Sequence, residues 1–223
     1  MTTVLHRRGD VEFLQKDYII KNKSTKGLDD VDEETKRQTV EKTREIIKII
    51  AKNGPVNIGQ GRLGSTGSGR TIEDILSGVT NAGGLSAAVF TNKEAVRRVL
   101  QELKERDFGQ SIVVSGLIEE VFAICREIGL QPHSIILSLG IWGKKELLPR
   151  PEVLDIVMMC GHGLISPRLV ESLARKVGRG KMTAEEAARE LARPCICGAF
   201  NIPAAAELIA NLAPKLIAEE QEK

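Results

Sequence analysis

Aromatic side chains are nearly missing from this chain of 223 residues, at 3% of the total with one Trp and one Tyr. Platforms for stacked bases need such rings, and a formal net charge of +2 supplies no basic field for a phosphate backbone. A nucleic-acid partner is therefore not expected. No run of about 18 uncharged apolar residues occurs, which argues against a membrane-spanning helix. The opening "MTTVLHRRGDVEFLQKDY" has no apolar core behind its arginines, so no export signal is expected either. Four cysteines are too few for a disulfide scaffold in a chain this long. These absences predict a cytoplasmic protein whose thiols are buried, metal-bound or reactive. There is no G-x-S-x-G elbow for a serine hydrolase and no Gly-Lys-Ser/Thr for a P-loop.

What is present is the composition of an ordinary globular chain, 42% apolar and 28% charged. Residues 1–30 read as an N-terminal arm ending in the polar stretch "KNKSTKGLDD". His6, beside Arg7 and Arg8, sits where such an arm could reach a partner subunit, which leaves a homo-oligomer open. A helix is predicted over Asp32–Lys52, stopped by Gly54 and Pro55, and another over Thr71–Val79. Beyond it, apolar runs alternate with helical spacing: strands over Leu85–Phe90, Ser111–Gly116 and His133–Gly140, helices over Asn92–Arg106 and Leu117–Gly129. Short uninterrupted apolar strands joined by helices predict an α/β fold with a mostly parallel sheet flanked by helices, the body spanning 31–145. Residues 146–223 carry only helical patterns and read as a helical C-terminal lobe. Ser166 with Pro167, and the Thr183/Glu186 capping box, mark two of its helix starts.

In a parallel sheet, ligands bind outside the carboxyl ends of the strands. That rule nominates Thr91, Asn92, Ser115, Glu119, Ser138 and Trp142 as lining residues. Trp142 reads more simply as a plug between sheet and lobe, and His133 as a structural residue at a strand start.

The glycine-rich stretch "GQGRLGSTGSGR" spells G-x-G-x-x-G over Gly59, Gly61 and Gly64. It lacks the long strand before and the prompt helix after that a dinucleotide fingerprint requires. Its backbone amides, the hydroxyls of Ser65, Thr66 and Ser68, and the guanidinium groups of Arg62 and Arg70 nevertheless suit a phosphate or carboxylate. A plain flexible loop is the competing reading.

Two Gly-punctuated turns, "MMCGHG" and "RPCICGAF", hold Cys160, Cys195 and Cys197. Thiolates bind soft metals, and a helical hairpin between the turns would return one to the other. Three thiolates suit a [4Fe–4S] cluster whose fourth iron is left for His162 or for substrate. Zinc bound by Cys160, His162, Cys195 and Cys197 is the rival. Cysteines that merely fill tight corners are the plain alternative. Cys125 falls at apolar helical spacing and reads as core.

The leading expectation is an iron–sulfur enzyme of lyase or dehydratase type acting on an anionic small molecule, with His162 or Glu119 moving a proton. The alternatives are a zinc-stabilised binding or assembly module without chemistry, and a phosphometabolite- or nucleotide-binding enzyme using the glycine loop alone.

Overall fold

Five helices of more than one turn begin where a short polar side chain accepts the backbone N–H three residues ahead. Asp32, Thr71, Asn92, Thr183 and Asn201 play this part. In the computed structural model, which describes residues 7–23, 31–61, 63–80, 87–137 and 140–222, they open α2 (Glu33–Lys52), α3 (Ile72–Gly78), α4 (Lys93–Arg106), α8 (Ala184–Ala192) and α9 (Ile202–Gln221). Proline at the first turn starts α6 (Pro151–Met158) and α7 (Pro167–Gly178). The one-turn α1 (Val11–Leu14) and α5 (Ile118–Glu127) complete the helices among the described residues. Ser166 stands at the α7 cap position, but its side chain makes no capping bond.

The sheet corrects the expected topology. Its strands β1 (Tyr18–Lys23), β2 (Asn57–Gln60), β3 (Gly64–Ser65), β4 (Ala87–Phe90) and β5 (Ser111–Ser115) lie in the order β3-β2-β4-β1-β5. Every ladder is antiparallel, so the sheet is not the mostly parallel one predicted. For β4 and β5 the cause is β1, which comes from the segment read as an arm. β4, α4 and β5 do form a β-α-β unit with both strands pointing the same way. β1 enters between them, pairing Ile19 with Val89 on one side and with Ser115 on the other. A single intercalated strand thus turns the expected parallel neighbours into two antiparallel pairs.

Side chains alternate across the strands and feed two cores. Tyr18, Ile20, Ile58, Ala88 and Phe90 pack with α2, α3, α4 and Ile124 of α5. Ile19, Ala87 and Val89 face the other way, into a core built from α6, α7, α8 and α9. The predicted helical lobe is therefore one of two helical layers, closing directly on the sheet. Among the described residues no helix is long and apolar enough to cross a membrane.

The third predicted strand is also corrected. Residues 133–137 and 140 belong to no strand, and Ile135, Ile136 and Leu137 are each more than half exposed. His133 is exposed too, and Trp142, at 79% exposure, is not the buried plug between sheet and lobe that was expected. With no row of adjacent parallel strand ends, the rule that nominated the lining residues loses its basis. Asn92 is spent as the α4 cap, and Ser138 lies outside the described residues.

This architecture makes a discriminating prediction. Ile19→Ala, at a fully buried position in the inserted strand, is expected to cost about 2–5 kcal/mol in urea unfolding. Ile135→Ala is expected to change stability by less than about 0.5 kcal/mol, as for an exposed site.

Candidate functional site

The two cysteine turns meet. Cys160 follows the end of α6, and Cys195 and Cys197 occupy the turn between α8 and α9. Helices α7 and α8 carry the chain out and back. The Cys195 thiol lies in hydrogen-bond contact with Cys197, their sulfurs 3.8 Å apart, and it also interacts with Cys160. His162, on the exposed rim, reaches Cys197 with its side chain. All four cysteines are free thiols, and the three in the cluster are at most 4% exposed. Cys125 is buried in α5.

Both turns repeat one local device. In Cys160-Gly161-His162 and Cys197-Gly198-Ala199, the N–H of the third residue donates to the sulfur of the first. The Leu164 N–H adds a second donor to Cys160. Such donors favour a thiolate over a thiol. Hydrogen bonding with Cys195 is the largest influence on Cys160 and lowers it to about 6. The two N–H donors assist, and burial opposes. Cys197 falls to about 5, again chiefly through Cys195, with the Ala199 N–H and His162 assisting against burial. Cys195 is pushed up by its bonds to both neighbours and by burial, so it is the sulfur that keeps its proton. A third negative charge among three neighbouring buried thiols is too costly unless a cation joins them.

A buried guanidinium ties the two turns together. Arg7 donates through Nη1 to the Met159 carbonyl at 2.8 Å, immediately before Cys160, and through Nη2 to the Ala199 carbonyl, just after Gly198. Its Nε is ion-paired with Asp17 Oδ2 at 2.9 Å, the two side chains being 6% and 0% exposed. Asn201 Nδ2 donates to the other carboxylate oxygen at 2.8 Å. Burial lowers the Arg7 pKa, while attraction from Asp17 and then from the three cysteines opposes the shift. Lys21 of β1 is lowered chiefly by its own burial, with Cys197 pulling the other way. Arg7, Asp17, Lys21 and Asn201 were all missed by sequence reasoning. In "HRRGD" the arginine is one charge among several, and its partners lie up to 192 residues away.

The glycine loop lies against the same turn, but its donors are engaged. The N–H groups of Ser65, Gly67, Ser68, Gly69 and Arg70 bond to Ser68 Oγ, Asn57 Oδ1, Ser65 Oγ and the carbonyls of Thr66 and Ser65. The hydroxyls of Thr66 and Ser68 turn to Asn57 Oδ1 and the Ser65 carbonyl. Ser65 Oγ donates to the Cys195 carbonyl at 2.8 Å. Gly59 serves close approach: a Cβ there would lie 2.8 Å from the Cys197 carbonyl carbon and from Gly198 N. Gly198, at φ +79°, would bring its own Cβ within 2.3 Å of Gly59 N. The loop is a pedestal for the cysteine turn, with few donors left for an anion. Gly61, Gly64, Ser68, Arg70 and Ile196 do border an open cleft of about 440 Å³. Arg62 lies outside the described residues. Glu119 is exposed in the first turn of α5, and no described hydrogen bond or ion pair joins it to the cysteines.

The sulfurs form a chain through Cys195. Among the described residues no three His, Cys, Asp or Glu side chains already stand as a ready group for a metal ion. No family model, curated protein or solved structure matches the chain.

The Arg7 clamp generates its own test. Arg7→Met is expected to cost about 3–5 kcal/mol in urea unfolding, because Asp17 would remain buried and charged without its partner. Adding Asp17→Leu should recover part of that loss, as removal of a whole buried pair usually does.

Proposed function

We propose that the protein is a metal-stapled binding or assembly module in which one zinc-class ion is held by Cys160, Cys195 and Cys197, with His162 as fourth donor. The 3.8 Å separation of the Cys195 and Cys197 sulfurs carries this reading. Thiolates at about 2.3 Å from a single tetrahedral ion stand about 3.8 Å apart. A cubane cluster instead puts each thiolate on a different iron and holds the sulfurs farther apart, so the spacing favours one ion over a cluster. Ion binding would rotate Cys160 and His162 onto a common centre and release the thiol protons that crowd Cys195. The donor set suits the ion, the N–H groups at Cys160 and Cys197 support the thiolate form, and Arg7 offsets the negative charge.

Near-complete burial of the three sulfurs favours a closed structural site over a catalytic one with an open position. The ion would lock the α6–α7 turn to the α8–α9 turn and both to β2. Four free thiols suit a reducing compartment, and we place the protein in the cytoplasm on that ground.

Purified without chelator, the chain is expected to carry one zinc by elemental analysis, and cobalt substitution should give sulfur-to-cobalt charge-transfer absorption. Cys160→Ser and Cys197→Ser should each lose the metal, whereas Cys125→Ser should retain it. Strong chelation should lower the melting temperature by about 10 °C, for an ion present at about a thousandfold above its dissociation constant. Iron with acid-labile sulfide and a brown chromophore would give the site to a cluster. Metal-free protein whose melting does not respond to zinc or chelator would sink the metal reading.

A further inference from the structure

Two unsatisfied features lie close together in sequence, and the metal reading uses neither. The first is the outer edge of β5, which ends the sheet and pairs only with β1 among the described residues. Its sequence "SIVVS" has no charge and no proline, the usual devices that keep an edge strand from pairing. The second is the stretch between α5 and α6. Ile135, Ile136, Leu137, Trp142, Leu147 and Leu148 are 54%, 53%, 63%, 79%, 76% and 39% exposed. Among the described residues of this stretch, one 3-10 turn, Lys145–Leu147, is the only regular element.

At roughly 200 Å² per fully exposed large apolar residue, these six present on the order of 700 Å². The largest apolar patch on a typical monomer is about 300–600 Å². A standard protein interface covers about 800 Å² on each partner. The summed exposed area is therefore comparable with one side of a stable interface.

We infer that this surface is covered by a second copy of the chain, with Ser134–Leu137 of each protomer adding as a strand to the free β5 edge of the other. The occupant follows from complementarity within one sequence. Among the described residues "SIIL" has strand composition and no sheet to join, whereas β5 has a free edge with no strand on it. Reciprocal exchange around a two-fold axis satisfies both elements twice and closes the contact on itself instead of propagating head to tail. Residues 142–148 then supply apolar cover beside the added strand. The interface is independent of the cysteine centre.

Light scattering coupled to size exclusion, on the full chain across the micromolar range, tests this. The expected mass is twice the 24.3 kDa of one chain. Ile136→Glu with Leu137→Lys changes only exposed positions, preserves net charge, and should weaken the dimer by about 100-fold or more. The circular dichroism and metal content of that variant should match the parent. Hydrogen exchange on the dimer should protect amides in both 111–115 and 134–137, and the variant should lose both. A parent that is monomeric throughout the range overturns the inference. So does a monomer that protects both segments, since the added strand would then form within one chain. A variant that dimerises as tightly as the parent overturns it as well.

Discussion

A guanidinium and a carboxylate withdrawn from water form the constraint on which the rest of this structure depends. Neither Arg7 nor Asp17 is stable in the interior alone. Together they still require other polar atoms to occupy the remaining donors and acceptors. The Met159 and Ala199 carbonyls and the Asn201 amide supply those atoms. They come from two turns of the C-terminal layer, the one after α6 and the one between α8 and α9, so satisfying one buried charge pair draws two distant segments to one point. Asp17 immediately precedes β1, so the same pair that gathers the cysteine turns also anchors the strand at the middle of the sheet.

The cysteine turn between α8 and α9 is held from several directions. Arg7 grips it at Ala199, Ser65 bonds the Cys195 carbonyl, and Gly59 and Gly198 allow backbone to lie on backbone. With a sheet strand on one side and two helices on the other, the sulfurs cannot drift independently. That rigidity gives the repeated Cys-Gly-X device its value, because an N–H aimed at a sulfur favours the thiolate only while the turn keeps its shape. The glycine loop has its place in the same account. Read as letters, it resembles an anion cradle. Folded, its amides and hydroxyls bond among themselves and brace the cysteine turn.

Much of the secondary structure was legible from local chemistry. The caps at Asp32, Asn92 and Thr183, the prolines opening α6 and α7, and the apolar spacing of α4 and α8 all act within a few residues. Strand direction was not legible. Helices cover both faces of this sheet, so β4 and β5 are apolar on both faces, and the alternation that marks an antiparallel strand is absent. The one strand whose insertion reverses the ladders, β1, ends in "KNK" and looks like the polar arm around it. The segment 133–140 failed for the opposite reason. Its composition suits a strand, but within this chain no neighbour pairs with its described residues.

By itself the sequence determined where most of the longer helices start and that Cys160, Cys195, Cys197 and His162 are its chemically distinctive group. Those features depend on contacts a few residues long, or on residue types too rare to overlook. Only the tertiary structure decided that the cysteine turns meet, that Arg7 closes them, and that the glycine loop is a support. Each of these depends on hydrogen bonds spanning more than a hundred residues, formed because buried polar groups must find partners wherever the packed chain places them.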